Sequence, residues 1–351
     1  MFSSESTKIN LIFNNQVTND ITLIIYLYIM QISERVVIFI LLITASHTML
    51  GQEVSNSFDL PFPSSYYQEV DEKRDLLLQS NLEEMISLDP IWRKLVKQKR
   101  MSVAIVDLRE MANIKYASVN GKNMVYAASL PKIAVLLTAL ENVNDGYLEY
   151  TPELKRDLRL MIAKSNNAAT TRVIETLGYD KIAETMMRNK YGLYDKYDGG
   201  GLWVGKKYAK SGARNPDPLK GLSHAANVDQ VARFYTMLAY GKLVSDEFNL
   251  EMMRYLIKPE INHKFVKSLY KLDPDVDIYR KSGSWRQFHC DSALVFGENG
   301  RRYIIVALIE DTNGGSICSN LVQKAELALG ITSIPYVPSN GKATMRPAIK
   351  R

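Results

Sequence analysis

Ser129-Leu130-Pro131-Lys132 puts a hydroxyl and an amine three positions apart, where an apolar run of Ile133, Leu136, Leu137 and Leu140 begins. Residues i and i+3 share a helix face, so the Lys132 amine is in reach of the Ser129 hydroxyl. It can take that proton as the oxygen attacks a carbonyl. Pro131 suits the first turn of a helix, and the run keeps helical spacing to Val143 before Asn144-Asp145-Gly146 stops it. Ser129 then sits near a helix N-terminus, where the dipole and unpaired amides favour developing negative charge.

The same spacing recurs at Ser268-Leu269-Tyr270-Lys271, which runs into Asp273-Pro274, and at Ser339-Asn340-Gly341-Lys342 in a Pro/Gly tail. Neither is expected to open a helix that holds the pair rigidly. Two further groups add weight to the first: Ser165-Asn166-Asn167, and Lys281-Ser282-Gly283 at the end of a strand-like run. Each triplet has a double, in Ser118-Val119-Asn120 and Lys210-Ser211-Gly212, and the latter lies in a loop-like stretch where no strand can present it. Order and context therefore select the set.

The elements that must position these residues are legible in outline. Leu76–Lys99 reads as a helix in two pieces, broken at Asp89-Pro90. Runs 102–107 and 114–119 are β-prone and separated by a short connector, which predicts an antiparallel hairpin. Helices dominate from Leu130 to Arg188, with Thr151-Pro152-Glu153 a helix start and Gly178 a C-cap. Residues 191–222 read as a long loop, long enough to face a substrate. Helices resume over 228–257, strands are expected at 276–281, 292–296 and 303–309, and a helix over 317–329 closes the sequence. This order predicts an α+β fold, an antiparallel β-sheet flanked by helices that pairs the two ends of the chain, plus an all-helical lobe from the middle.

Residues 1–51 read as a leader, an upstream extension followed by a signal peptide from about Met30, with Arg35, the apolar run 36–43 and small residues Ala45, Ser46 and Gly51. That predicts export, periplasmic or extracellular, with a membrane tether if the leader is retained. Residues 52–75 read as a linker, 76–332 as one two-lobed domain and 333–351 as a flexible basic tail. The net charge of +6 arises from 44 basic and 38 acidic residues spread along the chain, without the aromatic-basic interleaving of a nucleic-acid binder. A mild positive field would draw anionic substrates such as carboxylates, although a solvated mixed-sign surface explains it equally. The four histidines are scattered, and Cys290 and Cys318 lack zinc-site spacing, so no metal is expected; whether the two thiols pair stays open. His289 and Asp291 alternate onto one strand face, but residues two apart do not ordinarily orient one another as a catalytic pair. His224 either caps a helix or lines a groove, and Trp203 and Trp285 either pack or rim one.

Taken together, Tyr126-Ala127-Ala128-Ser129-Leu130-Pro131-Lys132, Ile162-Ala163-Lys164-Ser165-Asn166-Asn167-Ala168-Ala169-Thr170 and Arg280-Lys281-Ser282-Gly283-Ser284 resemble the penicillin-recognising serine hydrolases, and within them the class A β-lactamases. The resemblance covers roughly residues 96–330. It implies a β-lactamase/transpeptidase-like fold, an active site in the groove between sheet and helical lobe, no cofactor, and a monomer acting on small β-lactam or D-Ala-type peptide substrates. By motif, Ser129 would be the acylated nucleophile, Lys132 its base, and Ser165 a relay to the leaving nitrogen. Asn167 would hold the substrate amide; Lys281 and Ser282, in the motif that Gly283 completes, would bind the substrate carboxylate, and Lys281 would depress the Lys132 pKa by repulsion. The backbone amides of Ser129 and Ser284 would form an oxyanion hole, and Arg286 would be a further carboxylate contact or a surface arginine.

Three departures separate the chain from the class A pattern. Asn166 stands where an aspartate is usual, and the interval from Ser129 to Ser165 is short. The stretch Gly199-Gly200-Gly201-Leu202-Trp203-Val204-Gly205-Lys206 lacks the glutamate and asparagine that activate the deacylating water. Asp198 and Asp217 flank it, as substitutes or as turn residues. The sequence thus predicts a serine hydrolase of the β-lactamase type with slow deacylation. A D-alanyl-D-alanine peptidase or penicillin-binding protein, or a non-turnover β-lactam sensor, remains the alternative.

Overall fold

The computed structural model describes residues 60–332, together with Met30. The expected leader up to residue 51, the first part of the expected linker and the tail from 333 lie outside the described residues. Contacts divide the chain into two units, Met1–Phe58 and Asp59–Arg351, and every element below belongs to the second.

In chain order these are α1 (Leu76–Ser87), α2 (Pro90–Lys97), β1 (Met101–Asp107), β2 (Lys115–Val119), β3 (Val125–Tyr126), α3 (Lys132–Asn144), α4 (Pro152–Ala163), α5 (Asn167–Leu177) and α6 (Tyr179–Met187). Four short strands follow, β4 (Tyr194–Asp195), β5 (Gly200–Gly201), β6 (Trp203–Val204) and β7 (His224–Ala226). The remainder is α7 (Val228–Ala239), α8 (Asp246–Leu256), α9 (Phe265–Leu272), β8 (Asp277–Trp285), β9 (Phe288–Phe296), β10 (Arg302–Glu310) and α10 (Gly314–Ala328).

Local chemistry sets the helix starts. Asp75 accepts from Leu78 N at 2.8 Å ahead of α1, and Asp89 caps α2 with Pro90 in its first turn. Thr151 and Asn227 cap α4 and α7 in the same way. Gly241, at φ 66°, lies in the break between α7 and α8, within the stretch 228–257 where helices are expected.

The main sheet has the order β2-β1-β10-β9-β8 and is antiparallel throughout, so the two ends of the domain pair through β1 and β10, with Ile105 opposite Ile305. Both faces are covered, by α1 and α10 on one side and α7 on the other, and every residue of β1 is buried. Val103, Ile105, Ile305, Ala307, Leu321 and Val322 belong to the core on the α10 side. The helical lobe of α3 to α6 and α8 packs around α3, in which Lys132 to Asn142 are all buried.

Two expectations need correction. Residues 60–75, expected within a linker, are packed: Val70 is fully buried and Phe62 lies 5.0 Å from Tyr240, centroid to centroid. Ser268 and Lys271, expected outside any rigid helix, lie on α9, where Ser268 Oγ donates to Ser319 O at 2.7 Å. Each outer strand of the sheet carries one further bridge, Arg74 beside Tyr116 on β2 and Ile257 beside Tyr279 on β8.

Behind the sheet, Arg301 Nε meets Glu326 Oε1 at 2.8 Å and Tyr303 donates to the same oxygen at 3.1 Å, all three buried. Removing Glu326 takes the short ion-pair partner from buried Arg301, leaving only Asp273 Oδ2 at 3.7 Å, and strips the Tyr303 hydroxyl of its acceptor. Glu326→Ala is therefore expected to lower unfolding free energy in urea by about 3–5 kcal/mol, and a change below 1 kcal/mol would contradict it.

Candidate active site

Ser129 is half-buried in the turn that leads into α3, and Lys132 N donates to Ser129 O at 3.4 Å, one turn on. The preceding residue, Ala128, has φ 49°, a conformation that costs a non-glycine residue energy and is held by its surroundings. Ala127 N donates to His224 O at 2.9 Å, and Tyr208 Oη donates to Ala128 O at 3.0 Å. From the sheet side Gly283 closes on the same turn. A Cβ at that position would lie 2.4 Å from Ala127 O and 2.8 Å from Ser129 N, so only glycine allows this approach.

The fully buried Lys132 amine donates to Ser165 O at 2.7 Å and Asn167 Oδ1 at 2.8 Å, with Ser165 Oγ at 3.3 Å and the Tyr208 ring 4.4 Å away. Lys281 Nζ approaches Ser165 Oγ from β8 at 3.0 Å and Ser282 O at 2.8 Å. One serine hydroxyl thus sits between two buried amines. Ser165 has φ 53° in the α4–α5 connection, and Asn166 next to it caps α5, its Oδ1 accepting from Ala169 N at 2.9 Å. Capping accounts for Asn166 without any charge, since asparagine and aspartate cap about equally well.

Burial alone pushes the Lys132 pKa down to about 7. Lys281 is held well below its ordinary value, chiefly by burial and then by the charge of Lys132. Two amines this close disfavour holding a proton at the same time. A neutral Lys132 has two hydrogens for the two carbonyl oxygens and a lone pair left for a hydroxyl.

The remaining predicted residues are placed unevenly. Ser282 is buried on β8 and joins the cluster through its carbonyl. The Ser284 hydroxyl accepts from Lys264 Nζ at 2.9 Å. Arg286 is at the β8–β9 turn with its guanidinium 5.5 Å from the Trp285 ring, and it makes no hydrogen bond to Lys281 or Ser282. Asp217 is buried and accepts from Tyr194 and from the amides of Leu219, Lys220 and Leu222, while Asp198 pairs with Lys122, so both serve the loop. Asp291 is locked to Arg280 at 2.7 Å and His289 Nδ1 is without a partner, which removes the histidine–aspartate pair. Cys290 and Cys318 are free and buried.

Some contributors carried no signal in the sequence. Lys264, buried and at φ 54°, donates to Gly283 O at 2.6 Å and Cys290 O at 3.0 Å and so fixes the strand from behind. Tyr208, in the expected loop, stacks on His224 at 4.3 Å. His224 Nε2 lies 2.9 Å from Lys206 O, and burial, aided by the charges of Lys132, Lys206 and Arg214, pushes its pKa down to about 4. The neutral ring donates from Nε2, and Nδ1 accepts from Ser223 Oγ at 3.1 Å. Tyr208, His224, Lys206 and Ser223, with Tyr126, Asn167 and Trp285, border a cleft of about 490 Å³ beside the amine cluster. Among the described residues, no group of metal-ligating side chains could hold an ion.

Comparison with known proteins gives a consistent picture. Residues 149–333, just over half of the chain, match the beta-lactamase enzyme family, a span that contains Ser165, Asn167 and Lys281 and begins after Lys132. A class A beta-lactamase from Bacteroides cellulosilyticus superposes with TM-score 0.55 at 17% identity, covering 72% of this chain and 98% of that one. PBP-A gives 0.53 at 16%, covering 73% and 97%. A penicillin-G acyl-enzyme complex of a PBP-A mutant gives 0.54 at 17%, covering 74% and 98%. No curated protein matches.

Two measurements check the site. Unfolding takes up a proton at Lys132 between pH 7 and 10.5, so the penalty for burying this amine is full below that window and gone above it. Wild type should therefore gain on Lys132→Met by about 1.4 kcal/mol per pH unit as pH rises through the window; a pH-independent difference in urea unfolding would show an amine that stays charged. Asn166→Ala should cost about 1 kcal/mol, with Asn166→Asp restoring wild-type stability, and equal loss in both would remove capping as the explanation.

Proposed function

The chain belongs to the beta-lactamase enzyme family, and we propose that it is a serine hydrolase acylated on Ser129 by β-lactams or related amides. The observation that carries this reading is the convergence of Lys132 and Lys281 on Ser165, with Asn167 bound to the Lys132 amine and Ser129 one turn before Lys132 and pressed against Gly283.

In the proposed cycle neutral Lys132 takes the Ser129 proton as Oγ bonds to the carbonyl carbon. The oxyanion is received by the amides of Ser129 and Ser284. When the C–N bond breaks, Ser165 gives its proton to the leaving nitrogen and recovers one from the lysine amines at 3.0 and 3.3 Å. Asn167 orients the acyl amide, and the arriving substrate carboxylate favours the charged form of Lys281, which then binds it. We propose that the leader expected from the sequence directs this chemistry to the outside of the cytoplasm.

Freeing the acylated serine needs a base for water. No carboxylate contributes to the environment of Lys132, whose shift comes from burial alone, and Asp198 and Asp217 are committed elsewhere. This favours a long-lived acyl-enzyme, and with it a second reading as a penicillin-binding protein or D-alanyl-D-alanine peptidase.

Intact mass after exposure to benzylpenicillin is expected to show one covalent adduct in wild type and none in Ser129→Ala. Persistence of the adduct, with hydrolysis about 10²–10⁴-fold below that of an enzyme with general-base assistance, supports the second reading; rapid return of free protein supports a β-lactamase. D-alanine release from a peptide marks the peptidase. Absence of any adduct in native protein would remove Ser129 as the nucleophile. The acylation rate should climb through a midpoint near pH 7, where Lys132 loses its proton; a flat profile would deny it the role of base.

A further inference from the structure

The cleft beside Asn167 has a one-sided electrostatic character. Lys206, Lys207, Lys210 and Arg214 all line it and no carboxylate does. Lys207 is answered by Glu175 at 2.7 Å. Lys206 Nζ reaches only the Lys210 carbonyl, at 3.4 Å, and among the described residues no carboxylate lies within ion-pair distance of Lys206, Lys210 or Arg214. The nearby Asp180 is turned to Asn215 Nδ2 at 3.3 Å. Backbone pairing between Lys206 and Arg214 holds the two ends of this cationic loop together.

The position of this wall matters as much as its sign. Asn167 lines the cleft, whereas Lys281 and Ser282 do not, so these cations are separate from the pair assigned to the usual substrate carboxylate. Trp285, 54% exposed, and Tyr126 add an aromatic border.

Resting on the acylation of Ser129, we propose that this cleft takes a second negative charge, a carboxylate on the acyl side of the substrate, so that the preferred substrates are dianionic amides. Three unanswered cations around one cleft attract a carboxylate through solvent, an attraction that salt weakens.

Benzylpenicillin and carbenicillin, which differ by one carboxylate on the acyl side chain, are suitable probes. Second-order acylation rate constants, read by intact mass at low and high ionic strength, should favour carbenicillin in wild type by about fivefold at low salt relative to the Lys210→Gln/Arg214→Gln double variant. That advantage should shrink at high salt. The exposed positions of both side chains leave the fold intact, which a thermal melt verifies. An equal carbenicillin-to-benzylpenicillin ratio in wild type and double variant, or one indifferent to salt, overturns the second-charge site while leaving acylation in place. Failure of both penicillins to form an adduct overturns the Ser129 reading and this inference with it.

Discussion

Two buried lysine amines share one serine hydroxyl with no carboxylate hydrogen-bonded to either, and the rest of the molecule is arranged around that arrangement. An ammonium group loses its hydration when buried, and without a negative partner the cheapest remedy is to give up the proton. Lys132 and Lys281 are in that position together, and the proximity of two such groups makes double protonation worse still. The burial that makes the amines costly to charge also makes them basic lone pairs at ordinary pH. An acid beside Lys132 would restore its charge, so the missing carboxylate and the neutral amine are two aspects of one environment.

Holding the amines there requires rigid supports on three sides. Helix α3 is buried along most of its length and cannot rotate Lys132 away. The capped start of α5 fixes Ser165 and Asn167, and the sheet presents Lys281 from its outer strand, backed by Lys264. Ala128 and Ser165 both adopt left-handed backbone conformations next to the chemistry. Such strain persists only where surrounding contacts over-determine it, here the bonds from Tyr208 to Ala128 and from Lys132 to the Ser165 carbonyl.

Much of this was legible in the sequence because it rests on local rules. Pro131 and the apolar run marked the start of α3, and β-prone runs marked β1, β2 and β8 to β10. The long-range pairing of chain ends followed from element order. What was not legible depends on tertiary placement. Lys264, Tyr208 and Arg214 occur in irregular stretches with no period, and nothing about a lysine before α9 announces that it will be buried under Gly283. Helix α9 itself was missed because Asp273-Pro274 suggested a loop, although the helix ends just before that pair.

The single bridges at either border of the five-stranded sheet have a consequence for the molecule in a crowded solution. Open strand borders invite another chain to extend the ladder. Here the segment at Arg74 screens part of β2, while Ile257 and the turn at Ala127 to Leu130 screen parts of β8. The contact that aligns Ser129 with the sheet therefore also denies that border to a stranger, so mutations that loosen it would promote self-assembly into extended aggregates along with any loss of reactivity.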